Sequence, residues 1–184
     1  MAVRWKNSYQ RYGALSISLH WLMLLLIIAV YSCIEFRELY PKGSDPRATL
    51  KSWHFMLGLT VFTLVWFRLL VRWSHLKPVI SPEPAAWQQL SARLVHISLY
   101  ILMIGLPVSG WFMLSAAGKS IPFYGFELPA LIAKNKPLAK QIKEIHEIVA
   151  TTGYFLIATH ALAALFHHYR LKDNTLSRIL PAKH

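Results

Sequence analysis

Nine histidines punctuate a chain in which apolar residues make up 55% and charged residues only 15%. Histidine is costly in hydrocarbon unless it has a partner or a task. Four of the nine crowd one apolar stretch, HEIVATTGYFLIATHALAALFHH, residues 146 to 168. Within it His146 and His160 are 14 residues apart. At ~100° per residue they fall within ~40° of one helix stripe, ~21 Å apart along the axis. Gly153 lies midway on that stripe, where a missing side chain lets another helix or a flat ligand come close. Each histidine then needs a partner of matching depth from another span. KSWH and KEIH set His54 and His146 each three residues after a lysine, Lys51 and Lys143. His20 lies nine residues in from Arg11 and His160 ten in from Arg170, depths of ~13 and ~15 Å. Depth therefore pairs His54 with His146 and His20 with His160. His96, three residues inside Arg93, is too shallow to compete with His20. His75 and His184 fall in a loop and at the terminus and read as solvated.

Two facing histidine pairs at two depths are what two bis-histidine haems need. Facing helices commonly build cofactor sites in a bundle core. Two neutral imidazoles fill both axial positions of the iron, which favours electron transfer over oxygen chemistry. A zinc site wants three or four ligands converging at one depth, and none converge here. A proton relay of isolated histidines is the competing chemistry. The single cysteine, Cys33, excludes an intramolecular disulfide, a thiolate-held iron–sulfur cluster and a CxxCH haem attachment. No GxGxxG or GxxxxGK occurs, so no nucleotide loop is indicated.

The elements that must position these residues are membrane spans. Charge is absent from 23 residues between Arg11 and Glu35, 16 between Lys51 and Arg68, 25 between Arg93 and Lys119 and 22 between Glu147 and Arg170. A spanning helix needs roughly 20 apolar residues. These runs also lack the polar face of soluble helices. The sequence predicts an all-α fold, an integral membrane four-helix bundle in one domain, 1–184. Its spans lie at about 14–35, 50–71, 89–116 and 143–169, with a bend at Gly105, Pro107 and Gly110 in the third. The first run exceeds a signal-peptide core of about 7–15 residues and has no small-residue cleavage site. Four spans put both termini on one side. That side carries eleven Lys and Arg against nine on the other, which favours cytoplasmic termini. The formal charge of +12 then speaks for anionic lipid and anionic substrates rather than nucleic acid.

SISLHWLMLLLIIAVYSCIEFR in the first span and YFLIATHALAALFHHYRLKDNTLSRILP in the fourth resemble bacterial cytochrome b561, and within that family the superoxide oxidases. The resemblance covers nearly the whole chain. It implies an inner-membrane oxidoreductase with two b haems that passes electrons from periplasmic superoxide to ubiquinone at the cytoplasmic side, with no obligatory protein partner. The family's iron ligands fall on His20, His54, His146 and His160, and its quinone histidine on His167. His167 lies seven residues beyond His160, ~10 Å nearer the cytoplasm, where an imidazole can hydrogen-bond a quinone carbonyl and deliver a proton. His168 points ~100° away and reads as interfacial. Arg68, 14 residues after His54, has three readings: an inner propionate, the quinone, or snorkelling to the headgroups. On the outer side, Lys51, Lys143 and Arg37 either neutralise propionates and steer the superoxide anion or mark helix ends. The alternative function is a cytochrome b anchor subunit between a dehydrogenase or hydrogenase and quinone. A histidine-based proton or metal transporter is the non-redox alternative.

Overall fold

The computed structural model describes residues 5–181. Arg4 and Lys183, which enter the charge comparison, and His184 lie outside the described residues. Four long helices carry the chain: α1 Ala14–Phe36, α2 Asp45–Ser74, α3 Ala86–Ala117 and α4 Lys136–Phe166. Each is long and apolar enough to cross a membrane. α1 starts where its apolar run does, at Ala14, but α2, α3 and α4 start earlier than the runs that announce them, because caps lie outside the hydrocarbon-length segments. α2 opens on Asp45 and Pro46, an acid and a proline suited to a first turn. Asn135 accepts the Leu138 N–H at 3.1 Å and starts α4 seven residues before the predicted span. α3 stays helical through Pro107, at the cost of one backbone hydrogen bond.

The connector after α1 is a 3-10 turn, Arg37–Leu39. Arg47 closes it, donating to the carbonyls of Arg37 and Tyr40 at 2.9 Å each and to both oxygens of Glu38. The longest loop contains a small hairpin, β1 Pro122–Phe123 and β2 Phe126–Glu127, antiparallel, with Pro122 opposite Glu127 and Phe123 opposite Phe126. Tyr124 and Gly125 form its turn with φ of 45° and 90°, the positive-φ pair that suits strand twist.

The chain falls into two compact units. One draws on Met1–Leu22, Trp66–Tyr100 and Gly153–His184, the other on Met23–Val65 and Ile101–Thr152. Their boundaries fall inside the helices, so each unit is built from segments of all four. The second unit has a core of Leu59, Leu114 and Ile121, packed by Phe55, Trp111, Phe123 and Leu128. Many large apolar side chains face outward, among them Leu25 at 63% and Phe155 at 70% exposure. That is hydrocarbon-facing surface, since soluble proteins keep such patches small.

Candidate functional site

Each unit contains one histidine pair. In the second unit, His54 from α2 and His146 from α4 stand with ring centres 6.3 Å apart and planes at 71°. In the first, His20 from α1 and His160 from α4 stand 6.2 Å apart with planes at 62°. Whether these pairs fit a metal between them is a matter of length. A metal–imidazole nitrogen bond is about 2.0–2.1 Å and a ring nitrogen lies about 1.1 Å from its ring centre, so two rings sharing one ion stand about 6.3 Å apart. Both pairs meet that figure. His96 from α3 also faces His160, at 5.3 Å. It is nearer than sequence depth alone indicates, but a full ångström too close for a shared ion.

The other ring nitrogens fix how these imidazoles present themselves. His54 Nδ1 lies 3.0 Å from the Val30 carbonyl, an acceptor, so Nδ1 carries the proton. His146 Nδ1 lies 2.9 Å from Ser109 Oγ, whose own proton is given to the Leu106 carbonyl at 2.8 Å. The serine oxygen therefore accepts, and His146 Nδ1 also carries the proton. In both rings Nε2 keeps its lone pair for a metal, the usual outer-shell arrangement for ligating histidine. Opposite His146 sits Gly110, where a Cβ would stand 3.7 Å from the ring.

The first unit differs. Arg68 Nη2 donates to His20 Nδ1 at 2.9 Å, which leaves the proton of the neutral ring on Nε2, the opposite of His54 and His146, while its guanidinium stacks at 5.9 Å from the Tyr100 ring. Arg68 thus turns inward to the histidine pair instead of snorkelling. Arg72 lies 5.3 Å from the same Tyr100 ring. The first unit therefore places two guanidinium groups at the C-terminal end of α2.

Beyond His160, α4 widens into a π turn, His167–Leu171, and Lys172 then takes a left-handed conformation with φ 56°. That reversal returns Asp173 to His167, with Nδ1 and Oδ2 2.6 Å apart. Asp173 Oδ1 accepts the Thr175 N–H at 2.8 Å. Burial pushes the Asp173 carboxyl up, but the bonds from His167 and Thr175 outweigh it and hold it below the usual carboxylate range. The neighbouring Arg178 is 7% exposed. It donates to the Pro78 carbonyl and lies 5.8 Å from the Tyr12 ring. His168 meets Tyr169 edge to face, with ring centres 4.9 Å apart.

Of the three cations proposed for anion steering, two are ion-paired. Arg37 meets Glu38 at 2.9 Å and Lys143 meets Glu147 at 2.8 Å. Lys51 is half-buried at the start of α2. Sequence reasoning missed Ser109 and Asp173. Asp173 had a local signal, since a carboxylate six residues after His167 sits within a turn of the helix end. Ser109, 37 residues from His146, had none.

A helical membrane protein with imidazole pairs at metal-bridging distance, and with its single cysteine outside any CxxCH motif, is by class a membrane b-type cytochrome that carries electrons. The model of the prokaryotic cytochrome b561 family matches residues 11–182, and the chain belongs to that family. It is 42% identical over 173 residues to cytochrome b561 homolog 1 of Escherichia coli K12, covering 94% of this chain and 98% of that protein. It is 38% identical over 175 residues to the probable superoxide oxidase CybB of Yersinia pestis, covering 95% and 98%. Cytochrome b561 homolog 2 of Escherichia coli K12 is 28% identical over 177 residues, covering 95% and 93%. The family binds haem b and resides in the bacterial inner membrane, where lipid and quinone are its surroundings.

Proposed function

We propose that this chain, as one transmembrane domain with both termini cytoplasmic, holds two b haems and moves electrons from periplasmic superoxide to ubiquinone. His54 and His146 would hold the outer haem and His20 and His160 the inner one, His20 giving up its Nδ1 contact with Arg68 so that Nδ1 takes the proton and Nε2 is free to bind. The observation that carries the assignment is the separation of 6.3 and 6.2 Å in the two histidine pairs. When bound, each haem would supply a one-electron carrier. The likeness to a probable superoxide oxidase supports superoxide as donor, and the likeness needs no protein partner.

The chain's own residues divide the remaining work. Val30 and Ser109 hold His54 and His146 in the ligating tautomer. Arg68 brings positive charge beside His20, which favours the reduced state of a centre there. Lys51, Lys143 and Arg37 attract the superoxide anion; the ion pairs of the latter two leave Lys51 as the strongest of them. His167 hydrogen-bonds the quinone and gives it a proton. Over a full cycle two superoxide anions lose one electron each and leave as dioxygen, while the quinone gains two electrons and two protons.

Purified protein should give two haems per chain by pyridine haemochrome, and a pulse of superoxide should reduce them. His146→Ala should remove one haem and spare the other. If superoxide leaves oxidised haems unchanged while a co-purifying dehydrogenase reduces them, the anchor-subunit function replaces this one. A chain without haem would end both.

A further inference from the structure

We propose that Asp173 is the positioning residue for the quinone histidine. Its Oδ2 binds the Nδ1 proton of His167, fixes that tautomer, and leaves Nε2 as the atom that meets the quinone carbonyl. The inference rests on the assignment of His167 to the quinone made above.

The geometry separates the two oxygens of the carboxylate. Oδ1 accepts the Thr175 N–H at 2.8 Å and so starts the terminal turn. Oδ2 stands 2.6 Å from His167 Nδ1. An ionised carboxylate only accepts, so the proton between them sits on the ring nitrogen. The backbone is arranged to make this contact. The π turn and the left-handed Lys172 reverse the chain, and the His167 carbonyl accepts from the backbone N–H of Lys172 and of Asp173. π turns often mark functional positions. The pair is sealed on one side only: the carboxylate side chain is 2% exposed and the imidazole 17%. The ring, not the acid, is the part that a ligand can reach. Arg178, buried beside Asp173, keeps the carboxylate company with a positive charge.

A buried acid behind an imidazole has a definite effect on proton delivery. Nδ1–H is fixed toward the acid, so Nε2 accepts a proton from solvent and then donates it to the reduced quinone. The positive ring formed between these steps faces a carboxylate at 2.6 Å and is stabilised by it. The quinone gains the proton at its carbonyl oxygen, the ring returns to neutral, and Asp173 stays ionised throughout.

Asp173→Asn tests this because the amide keeps an oxygen for Thr175 but offers N–H groups to His167, forcing the opposite tautomer. Reduced protein should be mixed with a short-chain ubiquinone and haem reoxidation followed by stopped flow. Asp173→Asn should slow the saturating rate by about 10- to 100-fold, leave the haem bands unchanged, and add nothing to the loss in His167→Gln. Ferrous, diamagnetic protein labelled with 15N-histidine should show His167 protonated at Nδ1. Wild-type rates in Asp173→Asn with a slow His167→Gln would overturn the inference and reduce Asp173 to a turn cap. Wild-type rates in His167→Gln would instead remove the quinone assignment beneath it. If Asp173→Asn loses its haem bands, the nitrogen spectrum of the wild type decides alone: a neutral ring with its proton on Nε2 and none on Nδ1 overturns the proposal.

Discussion

At the scale of single residues, the separation of ring centres is what discriminates among the histidines. His96 approaches His160 more closely than His20 does, at 5.3 against 6.2 Å. Bond lengths favour the longer pair for a shared ion, so under the proposed two-haem arrangement His96→Ala should leave the haem content unchanged in the pyridine haemochrome assay. Ser109 matters because it accepts the Nδ1 proton of His146. Its replacement by alanine should weaken haem retention at that site by about 10- to 100-fold, with the other haem unmoved in a difference spectrum. Arg68 is a single charge against His20. Arg68→Gln should lower the midpoint potential of the inner haem by on the order of 50 mV in a redox titration, since removing a nearby cation disfavours reduction. Asp173 adds a pH term of known sign. Its carboxyl lies below its ordinary value of 3.8 in the folded chain, so its contribution to stability is full above that pH and fades as pH falls through the folded value. The thermal midpoint of the wild type should therefore lose its margin over Asp173→Asn as the pH is lowered through 3.8 and below.

At the scale of elements, the helix ends carry more structure than the apolar runs. Asn135 caps α4 through its side chain. Asn135→Ala should cost about 1 kcal/mol locally, read as faster amide exchange at the first turn of α4. The hairpin after α3 depends on Gly125, whose φ of 90° an L-residue adopts only with strain. Arg47 shows how an element can absorb a charge that composition assigns to the surface. Its guanidinium closes the α1–α2 connector instead of standing free in the outer field.

At the scale of the whole molecule, the formal charge of +12 and the outward apolar surface belong together. The apolar side chains face hydrocarbon, and Phe155→Lys should reduce the amount of protein recovered in the membrane fraction. The charge acts at longer range. If superoxide is the donor, its reaction rate should fall as ionic strength rises, because the screening length shrinks from about 30 Å at 0.01 M to about 8 Å at 0.15 M.

The sequence by itself determined that the chain is helical and membrane-spanning, since absence of charge over bilayer-length runs needs no tertiary information. It also determined which four histidines match in depth, because helical rise and flanking cations are local quantities. The extents of α2 and α4 were less legible, as capping asparagine and proline lie outside the hydrophobic period. What only the tertiary structure decided were the partners that come from far along the chain. The Val30 carbonyl behind His54, Ser109 behind His146 and Arg68 behind His20 are separated by 24, 37 and 48 residues. Periodicity places a side chain on a face, but the hydrogen bond that fixes a tautomer depends on which helix lies against that face. The left-handed residue at Lys172 belongs to the same class. A single backbone reversal there turns Asp173 from a tail residue into the partner of His167.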